Sequence, residues 1–575
     1  MFAARPGHPG GRCPATGKVR TVKRHQRENY YVVGEGILTT DGKNAVCERP
    51  STEAALRKFR FSRIGPQGEP LDPGLLEKVA TAMTAAPTGT PPVQPVADPP
   101  VPAAFTYLGQ FVDHDLTLDN TAAALGDHVT VTELLQGRSP ALDLDSLYGR
   151  GPDDRDDDRF YAPDKVKLRV GQTAAIPIDP ATNVNLNGFD LPRVTQGSTK
   201  AERQRALVPD ARNDENLIVA QTHLAFIRFH NAVADRLADQ GVPSRLLFRR
   251  AKELVVRHYQ WLLKTDFLPR VVDPAIVEDV FTNGRTFFET PATGPNGGPV
   301  HRIKAGDRPT MPIEFSVAAY RLGHSMVRAG YDWNKLFARG AGTLPLLFTF
   351  SGTSGNFNPA APDPSDPETG LFERLPTNWA VDWRRMADFG EAGRTDLAGP
   401  NGVNNAQRID TLLVNPLSLL PKGTFGGVGT TPPDIQRNLA FRNLTRAGMV
   451  NLASGQQMAD FMGLAPLTRD QILTGNGGAA LDPLTDEEKD TFAARTPLWF
   501  YILREAELNG GRLTGVGGRI VAEVFHRAME GSRISIVADP AWRPTLGPDD
   551  HTFRLVDLLL LAFDGRKELL APLGD

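Results

Sequence analysis

A mainly α-helical protein, one large domain with few short strands and long loops, is predicted by three observations. Apolar residues recur at helical spacing through most of the chain after residue 100, strand-type alternation is scarce and short, and no internal repeat divides the 575 residues. Length alone would allow about three to four domains. The clearest break in composition falls at residues 84–104, where Pro87, Pro91, Pro92, Pro95, Pro99, Pro100 and Pro102 alternate with small residues. Such a segment continues neither a helix nor a central strand, and it reads as an extended linker or wrapping arm. Residues 1–99 are therefore expected to be an irregular N-terminal extension with a basic tail and a Pro-rich arm, and residues 100–575 the helical domain.

The elements follow in order. Residues 1–27 hold Arg5, Arg12, Lys18, Arg20, Lys23, Arg24 and Arg27 and no acid, which reads as a disordered basic tail. Phe105 to Asp119 form an apolar, helix-compatible frame. Leu217, Ala220, Leu224, Ile227, Ala234 and Leu237 predict a helix over 215–239, and Leu246 to Leu263 continue the pattern. Further helices are expected over 313–329, 454–463, 497–508 and 518–530. Pro- and Gly-rich stretches at 293–299, 358–368 and 425–433 read as long surface loops.

Composition excludes several classes. A formal charge of −3 gives no global reason to expect nucleic acid as a partner. Cys13 and Cys47 alone rule out a disulfide framework and a Cys-rich zinc site. The run Leu558 to Phe563 is too short to span a bilayer. The first thirty residues show no apolar signal core, so the expected location is the cytoplasm, or outside the cell by a non-standard route.

Four constellations carry chemistry. In Gly109-Gln-Phe-Val-Asp113-His114-Asp115 an imidazole lies between two carboxylates. Helical residues step by about 100°, so Asp113 and Asp115 point roughly 200° apart. Burying three such groups is costly unless each has a partner, which suggests a site with three jobs. Arg212-Asn213-Asp214-Glu215 opens the 215–239 helix; Asn213 or Asp214 can cap it, but capping leaves the Arg unexplained. Arg321-Leu322-Gly323-His324 lies in an apolar helix, where Gly323 costs about 1 kcal/mol relative to Ala and marks room for a bulky group. Ser139-Pro-Ala141-Leu-Asp143-Leu-Asp145 alternates oxygen-bearing positions as a loop around a hard cation does. The acidic run Asp153 to Asp158 reads as a solvated loop.

Together these motifs, with Arg442-Asn443-Leu-Thr-Arg446, resemble the animal-type haem peroxidases of the peroxidase–cyclooxygenase superfamily over roughly residues 100–540. The resemblance implies haem b and reduction of hydrogen peroxide through a ferryl haem intermediate. It also implies oxidation of a halide, a phenol or another small donor. It makes His114 the distal histidine and Arg212 the distal arginine, with Gln110 ordering water or halide. His324 becomes the axial ligand of the iron, oriented by Asn443, and Arg321 and Arg446 are candidates for the haem propionates. Asp113 and Glu215 occupy positions where relatives form ester bonds to haem. Asn216 follows where an additional sulfonium link would need Met, which removes that link. Asp115, Ser139, the Ala141 carbonyl, Asp143 and Asp145 are the implied Ca²⁺ ligands.

Three rivals stand beside this reading. A fatty-acid dioxygenase of the same superfamily would carry a radical-forming Tyr three residues before His324. That position is Arg321, and Tyr320 would face about 100° away on a regular helix. A calcium-stabilised structural or adhesion protein would not need His114, Arg212, His324 and Asn443 together. A non-haem metallohydrolase would combine Asp113, His114 and His223 or His230; these two histidines are seven apart on one helix face, and packing accounts for His223. Phe425-Gly-Gly-Val-Gly429 runs into Pro432-Pro433 and lies between no strand and helix, so it is not a nucleotide loop.

Overall fold

The computed structural model describes residues 61–85, 98–290, 308–351, 374–420 and 433–575, apart from short gaps within 98–290, and three strands between residues 31 and 48. The basic tail, most of the Pro-rich arm and the 293–299 and 358–368 loops lie outside the described residues, as does most of 425–433.

Helices dominate. Within the stretch expected to be irregular, Pro73–Thr84 form helix α1, capped by Asp72, whose carboxylate accepts from Gly74 N and Leu75 N. Strands β1 (Tyr31–Val32), β2 (Gly36–Thr40) and β3 (Ala45–Glu48) make an antiparallel sheet. Helix α2 (Ala104–Leu116) is buried along its length except at Gly109 and Gln110. Helix α3 (Leu217–Asp239) is capped by Asn216, which accepts from Val219 N at 3.0 Å. Asn213 and Asp214 belong instead to a separate 3₁₀ turn, Ala211–Asp214, capped by Asp210. The expectation of a cap at 213 or 214 is corrected: one more turn of chain precedes the helix, Asp214 pairs with Arg193, and Asn213 meets His114 and His223.

Helix α4 (Ser244–Leu262) runs into a π-turn at Leu263–Phe267. α3 packs against α2, α4 and α9 (Leu555–Ala562), and α5 (Leu439–Met449) packs against α1. Helices α6 (Gly455–Met462), α7 (Leu498–Leu508) and α8 (Gly515–Glu530) match the sequence pattern within a few residues; Ser454 and Gln457 form a reciprocal capping box at α6. Among the described residues no helix is long and apolar enough to cross a membrane.

Two expectations need correction. The 313–329 helix is not one regular helix but a π-turn (Glu314–Ala318), a 3₁₀ turn (Ala319–Leu322) and one α-turn (Gly323–Met326). Side-chain anchors hold this segment out of register: Glu314 accepts from Ile64 N and Gly65 N, Trp499 Nε1 donates to Arg321 O, and Ser325 Oγ donates to Asp410 O. The 153–158 run is not simply solvated, because Asp157 is buried and accepts from Arg150 N, at 2.7 Å, and from its guanidinium.

Candidate functional site

α2 brings His114 into a buried network. Its Nδ1 lies 2.8 Å from Asn213 Oδ1, and Asn213 Nδ2 lies 2.8 Å from His223 Nδ1. With the ring proton on Nδ1, donated to the amide oxygen, Nε2 keeps its lone pair. Glu215 Oε1 lies 3.5 Å from that Nε2 and also accepts from Gln110 Nε2, while Gln110 Oε1 accepts from Asn216 Nδ2. Burial first of all pushes the His223 pKa down to about 3, which keeps that ring uncharged.

Arg212 is fixed from two directions. Nε and Nη2 donate to the Asp210 carboxylate at 3.0 and 2.8 Å, and Nη2 also reaches Thr117 O and His114 O. Burial opposes ionisation of Asp210, yet Arg212 and Arg138 outweigh it and hold the carboxyl well below its ordinary range. The turn thus ties the guanidinium to the C-terminal end of α2, which carries His114.

Asp113 and Asp115 diverge along α2. Asp113 Oδ1 accepts from Thr117 Oγ1, and Oδ2 lies 3.4 Å from Arg321 Nη1. Burial alone would raise its pKa; Arg321, His114 and Arg212 together lower it. Asp115 turns to the 144–146 backbone and accepts from Leu144 N, Ser146 N and Ser146 Oγ.

The proximal segment supplies His324. Its Nδ1 lies 2.8 Å from the Asn443 side-chain amide on α5, and Trp499 packs edge-on against the ring at 6.4 Å. The amide nitrogen Nδ2 faces the ring; with the amide turned to present its oxygen, Nδ1–H would donate and Nε2 would be left as a ligand atom. Burial, then Arg321, pushes the His324 pKa down to about 3, so the ring is neutral as metal ligation requires.

These groups converge on two adjoining cavities, which share Asp113, His114, Glu215 and Arg321. The first is largely apolar and adds Gly323, His324, Leu344, Phe348 and Leu417. The second is cationic, lined by Arg212, Arg321, Arg442 and Arg446. Burial and mutual repulsion lower the pKa of Arg442 to about 10, and burial, then Arg321, lowers that of Arg446. A flat, apolar group bearing carboxylates fits this space: a Cβ on Gly323 would meet nothing within 4 Å, and Arg321 and Arg446 offer guanidinium donors beside it. The residues present therefore fit haem.

The loop expected to hold Ca²⁺ fits less well. Asp115 and Asp145 are buried close enough to repel, and burial, then Asp145, pushes the Asp115 pKa up to about 7. Among the described residues, however, no group of three His, Cys, Asp or Glu side chains is arranged to hold a metal ion. That also removes the non-haem metal site imagined from Asp113, His114 and His223 or His230. His230 is a core residue, bonded to Tyr148 Oη and Val166 O.

Tyr320 corrects another expectation. On the 3₁₀ turn it does not face away; it lines the apolar cavity with Arg321 and His324. Its ring stacks on Phe315 at 4.6 Å, and its hydroxyl has no hydrogen-bond partner among the described residues. Asp210, Asn213, His223 and Tyr320 are the site residues that sequence reasoning missed. Asp210-x-Arg212 has the form of an Asx-turn, the one signal that could have found any of them.

Fold and cavity together define a helical protein with two imidazoles, His114 and His324, and four arginines around adjoining cavities. Residues 119–350 match the family model for animal haem peroxidase, a span that includes Arg212, Glu215, Arg321 and His324. A peroxidase-like protein of Margaritifera margaritifera is 32% identical over 139 residues, 24% of this chain and 16% of that one. The chorion peroxidase of Drosophila melanogaster is 28% identical over 120 residues, 20% of this chain and 14% of that one. The matches thus span less than a fifth of the length of these curated relatives. Peroxidase A from Dictyostelium discoideum superposes with a TM-score of 0.54 at 14% identity, covering 90% of this chain and 94% of that one. The fatty acid alpha-dioxygenase of Arabidopsis thaliana gives 0.50 at 14% identity, covering 90% and 76%. The structural likeness speaks for fold alone. Over residues 119–350, then, this chain is similar to the animal haem peroxidases, and its fold is like that of peroxidase A.

Proposed function

We propose that this protein is a haem peroxidase that reduces hydrogen peroxide and oxidises a halide, a phenol or another small donor. One observation carries the reading: α2 and the proximal segment present two imidazoles, His114 and His324, to the same cavity. Bound haem would supply the iron centre at which the O–O bond is cleaved and the donor oxidised. His324 would hold it through Nε2, with Asn443 fixing the ring, and Arg321 and Arg446 would take the propionates. His114 Nε2 removes a proton from one peroxide oxygen and returns it to the other, which leaves as water. Arg212, aligned by Asp210, stabilises charge on the departing oxygen. Gln110, tied to Glu215 and Asn216, orders water or halide beside His114. Asp113 and Glu215 are placed by the resemblance for ester links to haem.

An absorbance spectrum of the purified chain, with and without peroxide, tests this proposal. A haem-loaded sample that turns over peroxide with phenolic or halide donors is expected; one without peroxide-dependent activity refutes it. Ca²⁺ bound by Asp115, Ser139, Ala141, Asp143 and Asp145 is a separate proposal, supported by the repulsion between Asp115 and Asp145. It predicts that chelation lowers thermal stability, and an unchanged unfolding midpoint rejects it.

A second reading is favoured by Tyr320: a fatty-acid dioxygenase, with the lipid chain in the apolar cavity. Oxygen uptake with a long-chain fatty acid, lost in Tyr320→Phe, would support it; no uptake removes it.

A further inference from the structure

We propose that buried His223 sets the tautomer of His114 through Asn213: by accepting from Asn213 Nδ2 it turns the amide oxygen to His114, whose proton must then sit on Nδ1. This rests on the reading of His114 as the base.

The amide of Asn213 has one donating end and one accepting end. Two buried imidazoles meet them, each at 2.8 Å. Rotating the amide reverses both bonds together. In one state His114 carries Nδ1–H, His223 carries Nε2–H, which meets no acceptor among the described residues, and His114 Nε2 faces the cavity as a bare base. In the other, Asn213 donates to His114, whose proton moves to Nε2 and whose basic atom is hidden. His223 is uncharged, so its Nδ1 is either acceptor or donor toward Asn213, and its tautomer and that of His114 are locked together.

A selector is needed because the cavity side favours the wrong state. Glu215 Oε1, 3.5 Å from His114 Nε2, attracts a proton to that nitrogen. Gln110 donates to the same carboxylate, and Arg212 lies close enough to offset only part of its charge. What opposes Glu215 is the enclosed amide as it is placed, Oδ1 toward His114 and Nδ2 toward His223, with Phe111 packed edge-to-face on the His223 ring at 5.6 Å. His223 is thereby a positioning residue that acts two hydrogen bonds away.

¹⁵N-histidine spectra of the full chain at neutral pH, without haem, test the proposal directly. His114 is expected on Nδ1 and His223 on Nε2; finding His114 protonated on Nε2 overturns the proposal whatever any variant does. In His223→Leu, checked for native near-ultraviolet circular dichroism, His114 should shift to Nε2–H. Asn213→Asp offers acceptors to both neighbours, so in that background His223→Leu should leave His114 on Nδ1. An unchanged His114 tautomer in folded His223→Leu, or the same shift in the Asn213→Asp background, rejects the mechanism. In the haem-loaded protein, His223→Leu should slow peroxide cleavage at least about tenfold, within the 10²–10⁴-fold that a general base supplies, and Asn213→Asp should restore it. A chain that takes up no haem refutes the peroxidase reading and leaves the tautomer measurement standing.

Discussion

Replacing Arg212 separates a structural from a chemical role. Its guanidinium donates twice to Asp210 and bridges to the main-chain oxygens of His114 and Thr117. Arg212→Ala removes all four contacts but leaves Asp210 paired with Arg138, at 2.9 and 2.7 Å, and still capped by the residue-212 amide. Removing one partner of a buried ion pair typically costs about 3–5 kcal/mol. The surviving Arg138 pair, and the 27% exposure of the Arg212 side chain, place this loss near about 2–3 kcal/mol. Arg212→Lys retains a cation for Asp210 but cannot span both carbonyls, so it should lose only about 1 kcal/mol. Peroxide cleavage should fall roughly 10²–10³-fold in both, the loss expected for one transition-state donor. Urea midpoints with stopped-flow cleavage rates on the haem-loaded chain measure the two effects separately. A full cleavage rate in Arg212→Lys would refute a role for the aligned guanidinium fork, and an unchanged urea midpoint in Arg212→Ala would refute its structural role.

Three further outcomes follow from the geometry. His324→Ala should abolish normal haem coordination, whereas Asn443→Leu should keep haem but bind it about 10–100-fold more weakly, read by haem titration; equal retention in His324→Ala rejects the axial assignment. After peroxide exposure, haem should resist acid–acetone extraction from wild type and become extractable in Asp113→Val with Glu215→Gln; full extraction from turned-over wild type removes the ester proposal. His258 Nδ1 lies 2.7 Å from Leu254 O, and its Nε2 accepts from Thr545 N and Leu546 N, so protonation would break two hydrogen bonds from backbone amides. Burial first of all lowers its pKa from 6.5 to about 4. Because the folded-state value is the depressed one, this contribution is complete above pH 6.5 and is lost as pH falls through about 4. It amounts to roughly 3 kcal/mol, and urea midpoints against pH should be flatter over that window in His258→Gln.

Periodicity made α3, α4, α6, α7 and α8 legible because apolar residues recur at helical spacing in each, although α7 and α8 are buried on nearly every side. The motif residues Asp113, His114, Arg212 and His324 were legible because charged groups in apolar frames are costly without a function. What stayed hidden was tertiary. A regular helix step put Tyr320 on the wrong face, since nothing local shows that Glu314 and Ser325 are pinned by Ile64, Gly65 and Asp410. Helix α1 escaped notice beside a Pro-rich arm. Asn213 looked like a cap until Asn216 proved to be one, and His223 looked like packing because its partner lies ten residues upstream on another element.

The shape of the cavity bears on donor choice. Its cationic half is closed on one side by Arg321, Arg442 and Arg446, groups that carboxylates of a bound haem would neutralise. With those groups engaged, the side left for a donor is the other half, which Gln110, Phe348 and Leu417 line together with His114. That approach is apolar, so a neutral phenol should cross it at lower desolvation cost than a halide, which must shed its water before Gln110 can replace it. A donor panel at matched concentration should therefore rank phenols above chloride in kcat/KM. Substituting Leu417→Lys, which places a positive charge on that approach, should narrow the gap by favouring the anion. A ranking unmoved by Leu417→Lys would mean that donors enter elsewhere.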